Sequence, residues 1–277
     1  MLFGAHVSVA GGIQNAPKNA ADIGCEVFQI FTRSPQGGNV PELNDQNIKE
    51  FLESCKKYKQ KEWYVHTPFF INFASANLRI KHASISVVRQ ELERASLLKA
   101  KYLMTHLGSY KDLGKEKGLL QVVESLNKML TDYKGETKFL IEISAGSGEI
   151  IGDTFEEIAE IIYHPKLKKY NIGVCFDTQH AFASGYDLRD EKAVKNTFDK
   201  FDKIIGLKRL KLSHCNDSLS QCGSHKDRHA HIGQGLIGKA GFEAIIKNTK
   251  LKDINFILET EHDLVVEDLK LLKKIRK

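Results

Sequence analysis

The feature that most constrains the fold is an alternation of short apolar segments with polar loops and stretches of helical periodicity. Eight apolar segments are candidate strands: Leu2–Val7, Glu26–Phe31, Trp63–His66, Tyr102–Leu107, Lys138–Ser144, Ile172–Asp177, Leu210–His214 and Asn255–Glu259. Segments this short and apolar are typical of parallel strands buried on both faces. The alternation therefore predicts an α/β protein built from repeated strand–helix units.

Helix signals lie between these segments. Apolar residues recur at helical spacing within Asn44–Tyr58 and Ile80–Lys99. Thr154, with Glu157 three residues later, has the pattern of a capping box and predicts the start of another helix. A further helical pattern begins near Asp187.

The chain length favours one closed barrel. The 277 residues are close to the ~250 of a (β/α)₈ barrel, and no Gly-, Ser- or Pro-rich linker divides them. The alternative is an open doubly wound sheet, but the first strand is not followed by the G-x-G-x-x-G pattern of its dinucleotide-binding version. We expect a single domain spanning residues 1–277.

Composition narrows the functional classes only a little. The chain has no run of 18 apolar residues and no apolar leader, so we expect an intracellular protein, in the cytoplasm or wherever the genome lies. Five cysteines without a C-x-x-C pair indicate neither a disulfide framework nor a thiolate zinc site. The net charge of +6 permits a polyanionic partner, but it is equally typical of an ordinary soluble surface.

Side chains that could bind metals or act in catalysis lie at the C-terminal ends of the candidate strands. In a barrel these ends share one mouth, where active sites lie. Seven of the eight ends present His, Asp or Glu, and the full series is His6, Thr32-Arg33, His66, His106, Glu142, Asp177, His214 and Glu259. One such residue alone would more often be a hydrogen-bonded structural group. Together they would repel or shift each other's pKa values unless divalent cations bind among them.

Two further segments add candidate ligands. His180 follows Asp177 by three residues, just past a strand end. In the loop after the seventh strand, Asp227 and His229 alternate, so their side chains would project to the same side of an extended segment. With His180 they would give one ion three ligands. The alternative is that these charged residues only solvate a long loop.

The candidate ligands are too many for one ion. They number nine: His66, His106, Glu142, Asp177, His180, His214, Asp227, His229 and Glu259. Imidazole and carboxylate without thiolate suit zinc, and also manganese or iron. Two or three ions, ~3.5–4 Å apart and sharing a carboxylate, are typical of phosphoester hydrolysis.

The motifs resemble a known family along the whole chain. They are GAHVSVAGG, HLGS, IEISAG, GVCFDTQHAFASGYDLR, LSHCNDS, DRHAHIGQGLIG and ILETE, in that order. This set is similar to that of endonuclease IV, the zinc-dependent apurinic/apyrimidinic endonucleases of the xylose isomerase-like TIM barrel superfamily. The resemblance implies a DNA-repair hydrolase of base excision repair. Such an enzyme cleaves the phosphodiester 5′ to an abasic site, leaves a 3′-hydroxyl, and trims blocked 3′ ends.

The resemblance also implies how the ligands are shared. A first zinc would be held by His66, His106 and Glu142; a second by Glu142, Asp177, His214 and Glu259; and a third by His180, Asp227 and His229. Manganese is the alternative at one position. Glu142 would thus be the catalytic residue, and His6 would support the ligands without joining them. The family has an asparagine after the bridging glutamate; Ile143 in this chain predicts altered contacts around the ligands.

The DNA contacts depart further from the family. Its members insert an arginine and a tyrosine from the loops after strands two and three, where this chain has Gln36 and Phe69. Phe69 could act as an apolar wedge, and Arg33 could supply the charge that Gln36 lacks. Lys226 and Arg228 are expected to contact phosphates.

The expected partner is double-stranded DNA with abasic sites or blocked 3′ ends, bound by a monomer with no membrane involvement. The rival is a single-metal sugar isomerase or epimerase of the same superfamily, which would use Glu142, Asp177, His214 and Glu259. Such an enzyme has no use for His66, His106 or the third ligand set. A non-catalytic DNA-binding barrel is a third hypothesis, but clustered charges without ions would be costly to retain.

Overall fold

Eight parallel strands close into a barrel in the computed structural model, which describes residues 1–277. The strands are β1 Phe3–His6, β2 Val27–Ile30, β3 Trp63–His66, β4 Tyr102–Thr105, β5 Lys138–Glu142, β6 Gly173–Asp177, β7 Leu210–His214 and β10 Asn255–Leu258. Their order around the barrel is β1-β10-β7-β6-β5-β4-β3-β2. The first and last strands pair in parallel, with Phe3 opposite Phe256, which closes the barrel. The predicted (β/α)₈ TIM barrel is confirmed.

Helices surround the barrel. They are α1 Ala16–Asp22, α2 Asp45–Lys57, α3 Leu78–Leu97, α4 Lys115–Leu130, α5 Phe155–Ile162, α6 Thr178–Ala183, α7 Glu191–Ile204, α8 Gly238–Lys247 and α9 Val265–Arg276. Two short strands, β8 Asp217–Ser218 and β9 His229–Ala230, pair antiparallel beyond the end of β7. None of the helices combines the length and the apolar character that crossing a bilayer requires.

The predicted elements match the observed ones closely. Every predicted strand is present within two residues at either end. Thr154 caps α5 by accepting a hydrogen bond from the N–H of Glu157 at 3.2 Å. The Glu157 carboxylate accepts from the N–H of Gly152 instead of that of Thr154, so only half of a capping box forms. The helix predicted near Asp187 begins at Glu191, and the short helix α6 before it was not predicted.

Side chains alternate between the barrel interior and the helix-facing side of each strand. The interior holds an apolar cluster of eight residues: Val27, Tyr64, Tyr102, Met104, Leu140, Cys175, Leu212 and Ile257. Two residues further along seven of the strands, the inward positions are polar: Gln29, His66, His106, Glu142, Asp177, His214 and Glu259. The apolar cluster is therefore the floor on which the polar mouth is built.

Leu212 tests this floor because its side chain is fully buried between the strands. We expect Leu212→Ala to lower the free energy of unfolding by about 3 kcal/mol, since it removes apolar contacts and leaves a cavity. Leu120→Ala is the control, because Leu120 is 58% exposed on α4. Denaturant unfolding measures both. Equal, small losses for the two variants would contradict the packing described for the barrel interior.

Candidate metal centre

The predicted ligands converge at the C-terminal mouth of the barrel. Three groups of side chains bring their ligand atoms within 4.8 Å of one another: His66, His106 and Glu142; Glu142, Asp177, His214 and Glu259; and Asp177, His180 and His229. We call them the first, second and third groups. We also count Asp227 in the third group, because its carboxylate oxygens lie 3.4 Å from His180 Nε2 and 3.3 Å from His229 Nε2. All nine predicted ligands thus lie together.

Glu142 joins the first and second groups. Its Oε2 lies 2.9 Å from His66 Nε2, and its Oε1 lies 2.8 Å from His214 Nδ1. Burial alone would raise the pKa of this carboxyl, but the neighbouring His106 and His214 outweigh burial and hold the pKa well below its ordinary value. Glu142 is therefore an anion whose two oxygens face different ligand sets, as a bridging carboxylate requires.

Most of the imidazoles have one nitrogen fixed by the main chain. His66, His180 and His229 donate their Nδ1–H to the carbonyl oxygens of Thr67, Ile143 and Glu259 at 2.6, 3.0 and 3.2 Å. A carbonyl oxygen can only accept, so each of these rings presents Nε2 toward the carboxylates. Histidines that bind metals are usually oriented in this way. The contact from Ile143 comes from its backbone, so an apolar side chain at this position does not disturb it.

An unpartnered nitrogen supports metal binding at the third group. His229 Nε2 is buried and makes no hydrogen bond, although an Asp227 oxygen is nearby. A buried polar atom without a partner is costly, and a cation bound there would remove the cost. Burial lowers the pKa of His180, but Asp177, Asp227 and Glu142 raise it well above its usual value. Nitrogen and oxygen donors facing one another in this way fit zinc and similar divalent ions.

Asp177 and His180 are placed by a sharp strand-to-helix turn. Asp177 ends β6 and caps α6, because its Oδ1 accepts from the N–H of His180 at 2.8 Å. The other carboxylate oxygen accepts from Asn216 Nδ2 at 2.7 Å, which fixes it near the second group. One helical turn then carries the His180 ring to the third group. The three-residue spacing in the sequence is the consequence of this cap.

Comparison with known proteins identifies the family. Residues 17–275 match the family described as xylose isomerase-like TIM barrel. A probable endonuclease 4 of Halothermothrix orenii is 40% identical, with 99% of this chain and 100% of that protein covered. A probable endonuclease 4 of Halobacterium salinarum is 37% identical over 95% of this chain and 94% of its own. The crystal structure of endonuclease IV from Thermus thermophilus is 30% identical, with a TM-score of 0.87 over 99% of this chain and 98% of that one.

This chain belongs to the endonuclease IV family. It is therefore a hydrolase of the nuclease class, as the sequence motifs implied. A D-tagatose 3-epimerase-like protein also has a similar structure, with a TM-score of 0.75 at 24% identity over 99% of this chain. That likeness shows the shared barrel fold alone.

Two residues that hold the candidate ligands of this endonuclease IV chain in place were not predicted from the sequence. Asp217 is buried and accepts hydrogen bonds from backbone N–H groups of the loop that follows Asp227 and His229, including Gly233 and Gly235 at 2.9 and 3.0 Å. A Cβ at Gly235 would lie 2.5 Å from an Asp217 oxygen, so only glycine permits this approach. The signal was a carboxylate in LSHCNDS ahead of a glycine-rich loop.

Gln29 is the second residue missed. It is fully buried on the inward side of β2, and its amide contacts His214, Glu259 and His6. The prediction took Thr32 and Arg33 as the functional end of this strand, so it did not include Gln29. Counting every second residue from Val27 would have placed Gln29 inside the mouth.

The predicted DNA-contacting residues divide into two kinds. Gln36, Phe69, Lys226 and Arg228 are exposed. Phe69 is 69% exposed at the rim of an open cleft of about 530 Å³, and its ring packs edge-on against Phe31 with centroids 5.2 Å apart. The exposure of these four side chains leaves them free to meet a binding partner.

The expectation for Arg33 is not met. Arg33 is only 8% exposed, and its Nε donates to Glu91 on α3 at 2.7 Å. A second guanidinium nitrogen donates to Gln90 at 3.0 Å, and Thr32 also bonds Glu91. The loop after β2 folds back onto α3, so this arginine neutralises a buried carboxylate and does not face DNA.

Replacing Arg33 and replacing Arg228 are therefore expected to affect the free energy of unfolding differently. Arg33→Ala should lower the free energy of unfolding by about 3 kcal/mol, because it leaves Glu91 buried with only the more distant Arg94 to compensate it. Arg228→Ala should change stability by less than about 0.5 kcal/mol, as is usual for an exposed side chain. Thermal or denaturant unfolding measures both. An Arg33→Ala protein of unchanged stability and weakened DNA binding would restore the original expectation.

Proposed function

We propose that this chain is an apurinic/apyrimidinic endonuclease, with residues 1–277 forming one catalytic domain. It would hydrolyse the phosphodiester 5′ to an abasic site in double-stranded DNA, leave a 3′-hydroxyl, and trim blocked 3′ ends. The observation that carries the proposal is the set of three adjoining ligand groups at the mouth of the barrel, two of which share the buried Glu142. Adjacent divalent ions of this kind suit phosphodiester hydrolysis.

Three zinc ions per chain would occupy the three groups, with manganese as the alternative at one position. His66, His106 and Glu142 would hold the first; Glu142, Asp177, His214 and Glu259 the second; and His180, Asp227 and His229 the third. When bound, such ions activate water near neutral pH and stabilise negative charge on the phosphate. The chain's own part is to keep Glu142 ionised between the first two groups and to orient each imidazole toward its ion.

The rim supplies the contacts to DNA in this proposal. Phe69 is an exposed ring supported by Phe31, which suits an apolar wedge between bases. Lys226 and Arg228 are exposed beside Asp227 and would contact phosphates. Gln36 would reach the duplex from the loop after β2 by hydrogen bonding. Arg33 contributes no positive charge to the DNA contacts, because its guanidinium is paired with Glu91.

The enzyme would act as a monomer wherever the genome lies. Every proposed ligand comes from one chain, so no second copy is needed to complete the centre. A sugar isomerase or epimerase is the other candidate, since the second group alone resembles a single-metal site. That function leaves His66, His106 and the third group without a role.

Cleavage of a duplex with one central abasic site tests the proposal. Wild-type protein should nick the strand 5′ to the lesion, leave an extendable 3′-hydroxyl, and remove a 3′-phosphate from a second duplex. A chelator should abolish both reactions. Glu142→Gln should stay folded but lose more than roughly 100-fold in rate, beyond the loss typical of residues that only support metal ligands. Glu26→Gln, at the opposite end of the barrel, is the control.

Three outcomes would contradict the proposal. They are nicking that survives exhaustive chelation, full activity of Glu142→Gln, and cleavage on the 3′ side of the lesion. Epimerisation of a free keto sugar by the wild-type protein, without any nicking, would favour the other candidate.

A further inference from the structure

The amide of Gln29 connects two members of the second group with a histidine on the first strand. Its Oε1 lies 2.8 Å from His214 Nε2, and its Nε2 lies 2.7 Å from Glu259 Oε1 and 3.0 Å from His6 Nδ1. These partners come from β7, the end of β10, and β1, so one side chain on β2 gathers three other parts of the barrel. Gln29 is fully buried, so water does not compete for these bonds.

The chemistry of the partners sets the direction of each hydrogen bond. An ionised Glu259 can only accept, so the amide atom facing it must be the nitrogen. Glu259 is ionised in the proposed centre, because a carboxylate must lose its proton to bind a cation. The second N–H of the amide then meets His6 Nδ1, which accepts it. The amide oxygen is left for His214, so His214 Nε2 must carry a hydrogen and donate it.

This arrangement selects one nitrogen of His214 for metal binding. With Nε2–H held by Gln29, the ring presents Nδ1 to the carboxylates, 2.8 Å from Glu142 Oε1 and 3.2 Å from Glu259 Oε2. His66, His180 and His229 present Nε2 instead, because main-chain carbonyls hold their Nδ1–H. No main-chain carbonyl accepts a hydrogen bond from the His214 ring. The amide oxygen of Gln29 accepts one instead and fixes which nitrogen carries the hydrogen. Glu259 likewise has Oε1 occupied and Oε2 directed into the group.

We propose that Gln29 is a positioning residue of the second group: it fixes the Nδ1-binding form of His214 and directs a single Glu259 oxygen toward the cation. The inference rests on the proposed metal centre but not on the identity of the DNA substrate. His6 completes the arrangement, since its ring lies against Phe31 with centroids 4.2 Å apart and its Nδ1 accepts from Gln29. A side chain that only filled the barrel could be replaced by an apolar one of similar size.

Gln29→Leu tests the inference, because leucine nearly preserves volume and removes all three hydrogen bonds. Gln60→Leu is the matched control, since Gln60 is also a buried amide but lies before β3, at the opposite end of the barrel. Metal-free proteins are titrated with zinc against a chromophoric chelator, without DNA. One bound zinc should lose about 10- to 100-fold in affinity in Gln29→Leu, the range seen when the support of a metal ligand is removed. The other ions, and every ion in Gln60→Leu, should be unaffected.

Steady-state kinetics separates positioning from general damage. Gln29→Leu should lower kcat on an abasic duplex while leaving KM within about twofold, because the rim that meets DNA is unchanged. Gln29→Glu keeps an acceptor for His214 but faces Glu259 with a like charge, so it should also weaken one zinc. Wild-type affinity for all ions in a folded Gln29→Leu protein, or equal weakening of all of them, would overturn the inference.

A measurement on the wild type needs no variant. Long-range ¹H–¹⁵N NMR of the zinc-bound protein should show His214 with its hydrogen on Nε2, whereas His66, His180 and His229 carry theirs on Nδ1. A His214 hydrogen on Nδ1 would refute the proposal. A zinc-binding protein with this tautomer that did not nick abasic DNA would refute the proposed function and leave the role of Gln29 intact.

Discussion

The need to compensate one buried carboxylate is the constraint on which the arrangement of the mouth depends. Glu142 has no exposure to solvent, and burying an isolated anion is among the most costly steps in folding. His66 and His214 face its two oxygens, and His106 and His180 lie within 3.5 Å. The chain thus surrounds one anion with groups that either carry positive charge themselves or bind cations. This compensation is what makes a charged mouth compatible with a stable barrel.

Around this centre the structure is arranged in layers. The apolar interior lies below the candidate ligands, because the inward positions of each strand carry apolar residues first and polar residues nearer the mouth. Outside the ligands, main-chain carbonyls, Asn216, Asp217 and Gln29 hold them in position. Candidate ligands held by these hydrogen bonds would not have to be ordered when an ion binds, which would favour affinity. The exposed aromatic and basic side chains of the rim remain available to contact a substrate.

The sequence predicted what depends on short-range pattern. Apolar runs located the strands, and His, Asp or Glu at their ends located the candidate ligands, because parallel strands deliver their ends to one mouth. Arg33 was misjudged because its role depends on Glu91, which lies far along the chain on the inner side of α3. Gln29 and Asp217 were missed for the same reason: their partners come from other strands and loops. Helix α6 has six residues, too few for periodicity to reveal.

Counting the bound metal tests the central claim most directly. Elemental analysis of protein purified without chelators, set against an accurate protein concentration, should give close to three divalent ions per chain, one for each group. Asp227→Ala, which removes a ligand from the third group alone, should lower the count by one. A wild-type value near one, unchanged by that substitution, would mean that the mouth holds a solitary cation and would contradict this account.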